Sequence, residues 1–185
     1  MTILRHELKM GFLSLLLWTS IIAAMLFICI MIYPDMAKDM TDLSVMFSDM
    51  GSFSQAFGMD RINFGEFSGH FGIECGNVLG LGGAFFAALS GITALSREEK
   101  EHTAKFLLTH PVSRNRVLAE KLAAVFLRIL AFNTCVVLVT IAGIFLIKEE
   151  VTYDSIFLLF AAWFLMQLET ASITFGISAF LRNGS

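Results

Sequence analysis

The sequence predicts an all-α, polytopic membrane protein: a transmembrane helical bundle with four spans and a cytoplasmic N-terminus. Four apolar stretches are each long enough to cross a bilayer, which takes ~20 mostly apolar residues in a helix. The chain is 56% hydrophobic and only 16% charged, whereas soluble domains carry about 25% charged residues. Its Lys and Arg residues fall mainly in alternate connecting segments. The 185 residues are predicted to form one transmembrane domain, 1–185, without an internal linker.

The apolar stretches place the four spans at residues 11–33, 70–95, 122–147 and 155–181. The first stretch follows two cationic residues, as the apolar run of a secretion signal does. It is longer than the ~7–15 residues of such a run, and no A-x-A cleavage pattern follows it. We therefore expect it to be a retained first span.

The distribution of Lys and Arg sets the predicted orientation. With the N-terminus in the cytoplasm, the outer segments hold only Lys38, Arg61 and Lys148. This orientation satisfies the positive-inside rule, and it makes the outer loop, residues 34–69, acidic. The other cationic residues then lie in cytoplasmic segments, with Arg128 just inside the third span: Arg5, Lys9, Arg97, Lys100, Lys105, Arg114, Arg116, Lys121 and Arg182.

Two further helical features are expected outside the spans. Residues 1–10 have apolar and cationic side chains on different faces, which predicts a short amphipathic helix on the inner membrane surface. In the outer loop, residues 43–58 mix apolar and polar side chains. We expect short helices there, lying against the membrane and separated at Gly51 and Gly58.

The cytoplasmic loop, residues 96–121, combines charge with an exposed apolar patch. A dense mixed-charge run precedes Phe106, Leu107 and Leu108. Pro111 must end or bend a helix there, and Ser113 is placed to cap the next helix, which continues into the third span. Exposed apolar residues among charges are typical of a docking surface. A solvated connector whose apolar residues enter the bilayer interface explains the same pattern.

This loop resembles the signature of type-2 ATP-binding-cassette (ABC) transporter permeases. In that family a Glu, a Gly-Thr, a Leu-Leu, a Pro-x-Ser-Arg and a downstream Lys recur between the second and third spans. The N-terminal sequence Arg5–Lys9 and the ending Ile177–Arg182 are also similar to the family. The residues that match the loop signature here are Glu98, Thr103, Leu107, Leu108, Pro111, Ser113, Arg114 and Lys121.

The sequence departs from the family pattern in two places. His102 stands where the family has Gly, so the local turn is expected to differ. The permeases typically have six spans, whereas four are predicted here, which leads us to expect a fragment, a truncated product or a divergent short form.

The resemblance implies a transport subunit that is not itself an enzyme. The sequence has no G-x-x-x-x-G-K-[S/T] loop, so no cofactor is expected on this chain, and ATP and Mg would bind a partner ABC ATPase. A second permease chain, identical or different, would complete the membrane part. Movement of the ATPases would push on a coupling helix around residues 98–109. The residues expected at this contact are Glu98, Glu99, His102, Thr103, Phe106, Leu107, Leu108, Pro111 and Arg114.

Glu169 is the most notable polar residue within the predicted spans. An ionised carboxylate at mid-span costs ~2.5–3.5 kcal/mol on insertion scales, so it should face protein or water, or be protonated. It is a candidate for the translocation path. A contact with another helix, for example with Asn133 or Thr134, is an equal alternative, and exposure caused by missing spans is a third.

Other polar and small residues have simpler interpretations. His70 and Glu74 have an i, i+4 spacing, but no third metal ligand is evident, and no metal site is predicted. Gly76 and Gly80 form a small-xxx-small pattern that favours close packing within the chain over a subunit interface. Arg128 is expected to extend to the cytoplasmic headgroups. The three cysteines, Cys29, Cys75 and Cys135, are interpreted as small apolar packing residues.

The predicted function is that of an ABC permease, and the family resemblance implies an exporter in a prokaryotic cytoplasmic membrane. No Ser/His pair, H-E-x-x-H motif or paired intramembrane Asp points to an intramembrane protease. The alternative is a noncatalytic immunity, sensor or assembly protein that binds a soluble partner through the 96–121 loop. Nucleic acid is not an expected partner, because the loop mixes Glu with Lys and Arg. The bilayer is a partner in every case, and no residue identifies the substrate.

Overall fold

The first helix is longer than the first predicted span. In the computed structural model, which describes residues 2–49, 67–100, 114–148, 151 and 153–178, helix α1 covers Thr2–Asp49 and contains Pro34. Proline removes one backbone donor from a helix, but membrane helices tolerate it. Residues 34–49 therefore continue the helix where the sequence predicts the start of an outer loop. The expected breaks at Gly51 and Gly58 lie outside the described residues.

The N-terminal residues also differ from their prediction. They form the first turns of α1 rather than a separate helix on the membrane surface. The backbone N–H of Leu4 donates to Glu120, and Glu7 pairs with Lys121. The polar face of this segment is therefore directed in part at another helix, which the amphipathic pattern alone did not indicate.

Three more long segments complete the described chain. Helix α2 (Phe67–His70), a π-helical turn (Phe71–Cys75) and α3 (Gly76–Lys100) follow one another without a gap. Helix α4 covers Arg114–Ile147, and α5 covers Tyr153–Ser178. Lys148 ends α4 with a left-handed backbone, φ 56°, and its N–H donates to the Ile144 carbonyl at 3.2 Å, as in an αL helix cap.

Within the described part of the chain, four segments are long and apolar enough to cross a membrane: Ile3–Ala37, Phe67–Ala94, Asn115–Ile147 and Tyr153–Ser178. Every element in the described part of the chain is helical. The predicted all-α class with four spans is thus confirmed. The third span begins earlier than predicted, because α4 starts at Arg114. That residue directly follows the expected cap, Ser113, which is not among the described residues.

The bundle consists of two closely packed helix pairs. The most extensive contacts join α3 to α5 and α1 to α4, and contacts between the two pairs are fewer. Within each pair the helices run in the same direction. Gly76, Gly83 and Gly91 of α3 approach successively later residues of α5. In the other pair, Gly11 of α1 lies beside Arg128 of α4, and Ile30, later in α1, lies beside Gly143, later in α4.

Small residues allow the α3–α5 pair to come close. A Cβ atom at Gly76 would lie 3.2 Å from the Trp163 ring. At Gly91 it would lie 2.5 Å from the Ala171 carbonyl oxygen, whereas at Gly80 nothing lies within 4 Å. Gly76 therefore packs within the chain, as the sequence favoured, and Gly80 does not take part in that contact.

The outward faces of the helices are largely apolar. On α1, Phe12, Leu13 and Leu17 are each more than half exposed. Large apolar side chains are exposed along the other spans as well. Such continuous apolar surface suits contact with lipid and is unusual for a soluble monomer.

Candidate functional site at the loop end of the bundle

One end of the bundle collects the start of α1, the end of α3, the start of α4 and the end of α5. We call it the loop end, because residues 101–113 connect α3 to α4 there. Lys121 and Glu7 meet at this end, as do Lys121 and Ala94. The loop that the sequence predicts as a docking surface is thus attached to a defined part of the bundle.

Lys121 is the central residue of a buried polar cluster at the loop end. Its side chain is fully buried. Its Nζ lies 2.7 Å from Glu7 Oε1 and donates to the Ala94 carbonyl oxygen at 2.6 Å. A buried ammonium requires such partners, because an unpaired charge in an apolar interior is strongly unfavourable. We call Lys121, Glu7 and the Ala94 carbonyl the basal cluster.

The basal cluster connects the two helix pairs. Lys121 and Glu7 belong to the α4 and α1 pair, whereas Ala94 belongs to α3. Lys121 lies about two turns after the first residue of α4, and Ala94 precedes the end of α3 by a similar distance. The ammonium therefore holds together the two helices that enter and leave the loop, and it also holds α1.

A second, more exposed set of contacts surrounds the start of α1. Glu120 accepts a hydrogen bond from the Leu4 backbone N–H at 3.1 Å and another from Arg116 Nε at 3.1 Å. The first N–H groups of a helix lack intrahelical acceptors, and a carboxylate there also interacts favourably with the helix dipole. Glu120 therefore caps α1 from the neighbouring helix.

The side chain of Arg128 does not lie where the sequence predicts. The sequence suggested that its side chain extends to the headgroups, but the residue is buried between α4 and α1. A Cβ atom at Gly11 would lie 2.6 Å from its Nη1, and its Nε donates to the Ala124 carbonyl at 3.4 Å. The absence of a side chain at Gly11 leaves room for the guanidinium inside the bundle.

The predicted coupling residues are only partly covered by the structure. Glu98 and Glu99 lie in the last turn of α3, and Arg114 is the first residue of α4. The side chains of these three residues are not described. The other predicted contacts lie outside the described residues: His102, Thr103, Phe106, Leu107, Leu108 and Pro111.

A second polar contact joins the helix pairs near the middle of the third and fourth spans. Asn133 of α4 donates through Nδ2 to Gln167 Oε1 of α5 at 2.7 Å and to the Ile129 carbonyl at 2.9 Å. Both residues are buried. Glu169, two residues after Gln167, is exposed, because two residues rotate a helix position by about 200°. The structure thus brings Asn133 to Gln167, while Glu169 faces away from both.

At the opposite end, His70 is buried and packs against α1. Its Nε2 lies 3.2 Å from the Cys29 carbonyl oxygen, and its ring contacts Tyr33. Glu74 is exposed on the π-helical turn. Among the described residues, no group of three or more His, Cys, Asp or Glu side chains is placed to hold a metal ion.

Sequence analysis missed two of the residues that organise these sites. The sequence assigned no contact to Glu7 and none to Gln167. A signal was present for Gln167, because a strongly polar residue within an apolar span usually has a polar partner. Glu7 stands among Arg5, His6 and Lys9 and gives no such signal. The sequence does not give the partner, because Glu7 and Lys121 are 114 positions apart.

Comparison with known proteins identifies a family. A family model described as "ABC-2 family transporter protein" matches residues 1–185. No curated protein and no solved structure matches the chain. The match covers the basal cluster, the connecting loop and all four spans.

Proposed function

The chain belongs to the ABC-2 family of transporter proteins, and from this premise we propose that ATP hydrolysis on a partner ATPase drives it to export a substrate. It is a multi-pass membrane subunit of an ABC transporter. The proposed membrane is the cytoplasmic membrane of a prokaryote, with the N-terminus and the loop end of the bundle in the cytoplasm. ATP and Mg bind the partner, and a second permease chain completes the membrane part.

The position of Lys121 is the observation that carries the coupling proposal. The partner ATPase presses on the loop between α3 and α4, and Lys121 links these two helices within about two turns of the ends that the loop connects. Through Glu7, the same ammonium also links α1. Displacement of the loop therefore acts on both helix pairs at once.

The two helix pairs provide the moving parts. Contacts inside each pair are extensive and those between the pairs are fewer, so relative movement of the pairs disturbs the least packing. Packed cores switch between discrete arrangements rather than deform continuously. We assign the exposure of substrate to one side of the membrane or the other to such a movement.

Docking of the ATPase is assigned to the apolar patch Phe106–Leu108. Charged residues at the rim of the patch orient the ATPase: Glu98, Glu99 and Arg114. The shape of the loop is assigned to His102, Thr103 and Pro111. A buried apolar anchor generally contributes more affinity than rim charges. Leu107→Asp with Leu108→Asp is therefore expected to remove the partner ATPase from the tagged chain during purification in mild detergent. The double variant should still reach the membrane, since both residues belong to the predicted loop 96–121.

The matched control keeps the patch apolar by changing the same two residues conservatively, Leu107→Met with Leu108→Met. This control should retain the ATPase. Equal recovery of the ATPase with the Leu107→Asp/Leu108→Asp variant and the wild type would contradict docking through the patch, and would favour the interpretation of the loop as a solvated connector.

Glu169 is assigned to the translocation path. It lies on the exposed side of α5, with Ser172 and Gly176 on the same face. The exposed side of α1 has no charged side chain between Gly11 and Pro34 and includes Phe12, Leu13 and Leu17. A carboxylate directed at lipid costs ~2.5–3.5 kcal/mol, so this face of α5 is assigned to water or protein rather than to lipid.

Cysteine labelling tests this assignment without a known substrate. In a chain whose native cysteines are replaced by alanine, Glu169→Cys is expected to react with a charged, membrane-impermeant thiosulfonate. Leu17→Cys, on the lipid side of α1, should not react. If neither cysteine reacted with the thiosulfonate, the assignment of Glu169 to the translocation path would be wrong.

A further inference from the structure

A groove runs between α4 and α5, the helices that meet where the two pairs join. Its volume is about 390 Å³. Three phenylalanines from α5, Phe157, Phe160 and Phe164, form much of its wall, together with aliphatic residues of α4. The groove lies within the third and fourth spans and opens to the side of the bundle, where lipid would be.

Asn133 gives this apolar groove a specific polar position. The residue lines the groove, and its Nδ2 is already used for Ile129 and Gln167. Its Oδ1 is buried and has no hydrogen-bond partner among the described residues. Leaving a buried acceptor unpaired is unfavourable, and in a bilayer no water is present to satisfy it.

Thr134 adds a second acceptor beside the first. It lines the same groove, and its hydroxyl donates to the Leu130 carbonyl at 2.8 Å. The Thr134 oxygen therefore has lone pairs left to accept a bond. No charged side chain is among the residues that line the groove, so a charged ligand would be unpaired there.

We propose that the α4–α5 groove binds a neutral, membrane-dissolved amphiphile whose single hydroxyl or amide N–H donates to Asn133 Oδ1. The apolar part of the ligand lies against the three phenylalanine rings. The donor supplies the bond that Asn133 lacks within the chain. Contacts between α4 and α5 are few, so a small displacement of one helix from the other admits the donor to the buried oxygen.

This site goes beyond the proposed function and is testable apart from it. Binding to the groove requires only the chain and a bilayer, without ATP or the partner ATPase. Loss of ATPase association would therefore leave this proposal standing, and failure of the groove test would leave the coupling proposal standing.

The test uses two photoreactive probes and the full chain in phosphatidylcholine vesicles. One probe is hexadecanol with a diazirine next to its hydroxyl end, and the other is its methyl ether, which lacks the donor. Phosphatidylcholine itself has no donor and should not compete. The alcohol is expected to label the lining residues about five-fold more than the ether does, the ratio that a hydrogen bond of ~1 kcal/mol gives.

Two variants separate the site from general lipid contact. Asn133→Leu should reduce labelling by the alcohol to the level of the ether. Ala161→Trp, which places an indole in the groove, should reduce labelling by both probes. If Asn133→Leu fails to accumulate in membranes, the labelling of Ala161→Trp by the two probes tests the site without it. Equal labelling by the two probes in the wild type, or undiminished labelling of Ala161→Trp, would overturn the proposal.

Discussion

Lys121→Met is expected to lower the free energy of unfolding by about 3 kcal/mol. The change removes the ammonium that faces Glu7 and leaves a carboxylate at a mostly buried position. Removing one partner of a buried ion pair typically costs ~3–5 kcal/mol. The lower part of this range applies because the Glu7 side chain is 12% exposed, so its carboxylate can be partly hydrated. The Ala94 carbonyl also loses its Lys121 donor.

A double-mutant cycle identifies the cause of this loss. Glu7→Met combined with Lys121→Met removes both charges, so most of the stability should return. Arg116→Met is the matched control, because the Arg116 side chain is 64% exposed in its pair with Glu120 and exposed pairs contribute ~0–1 kcal/mol. Unfolding in detergent can be followed by the fluorescence of the two tryptophans. Additive losses in the cycle would show that Lys121 and Glu7 do not act as a pair.

Gly91→Ala is expected to destabilise the bundle, by about 1–3 kcal/mol. The new Cβ would lie 2.5 Å from the Ala171 carbonyl oxygen and 3.0 Å from the Phe175 backbone nitrogen, and it would also meet the Thr174 hydroxyl. Backbone atoms cannot move aside as a side chain does, so α5 would have to shift away from α3.

Gly80→Ala, on the same helix, is expected to stabilise the bundle rather than destabilise it. Nothing lies within 4 Å of a Cβ at this position, and replacing an uncrowded helical glycine by alanine stabilises by up to ~1 kcal/mol. The pair of variants therefore separates helix propensity from packing in one unfolding series. Equal effects of the two substitutions would contradict the close approach of α3 and α5.

Much of the architecture follows directly from the sequence. Span number and approximate position depend on the length of the apolar stretches, which a single chain displays fully. Helix ends were harder to predict. Pro34 does not end α1, because one missing backbone donor does not outweigh the helical preference of the residues around it.

The pairing of the helices could not be predicted, because it depends on which glycines meet which side chains. Gly76, Gly80, Gly83 and Gly91 look equivalent in the sequence, but Gly80 faces open space. The same limit applies to the polar residues in the spans. Gln167 and Glu169 are two positions apart, and only the rotation of α5 decides that Gln167 faces Asn133.

The basal cluster shows why charge counting was insufficient. Lys121 belongs to the cationic residues that set the predicted orientation, and counting treats it as equivalent to the exposed Arg116. The structure buries it completely beside Glu7. Its position in the family signature identified it as a recurring residue, but the reason for its role lies in contacts with residues distant in sequence.

Purification of the tagged wild-type chain from its native membrane, with quantitative mass spectrometry and an ATP hydrolysis assay, tests the central claim most directly. The account predicts an ATPase subunit at one copy per chain, with ATP hydrolysis that disappears when this subunit is removed. An intact, well-folded chain that repeatedly emerges without an ATPase would contradict the account.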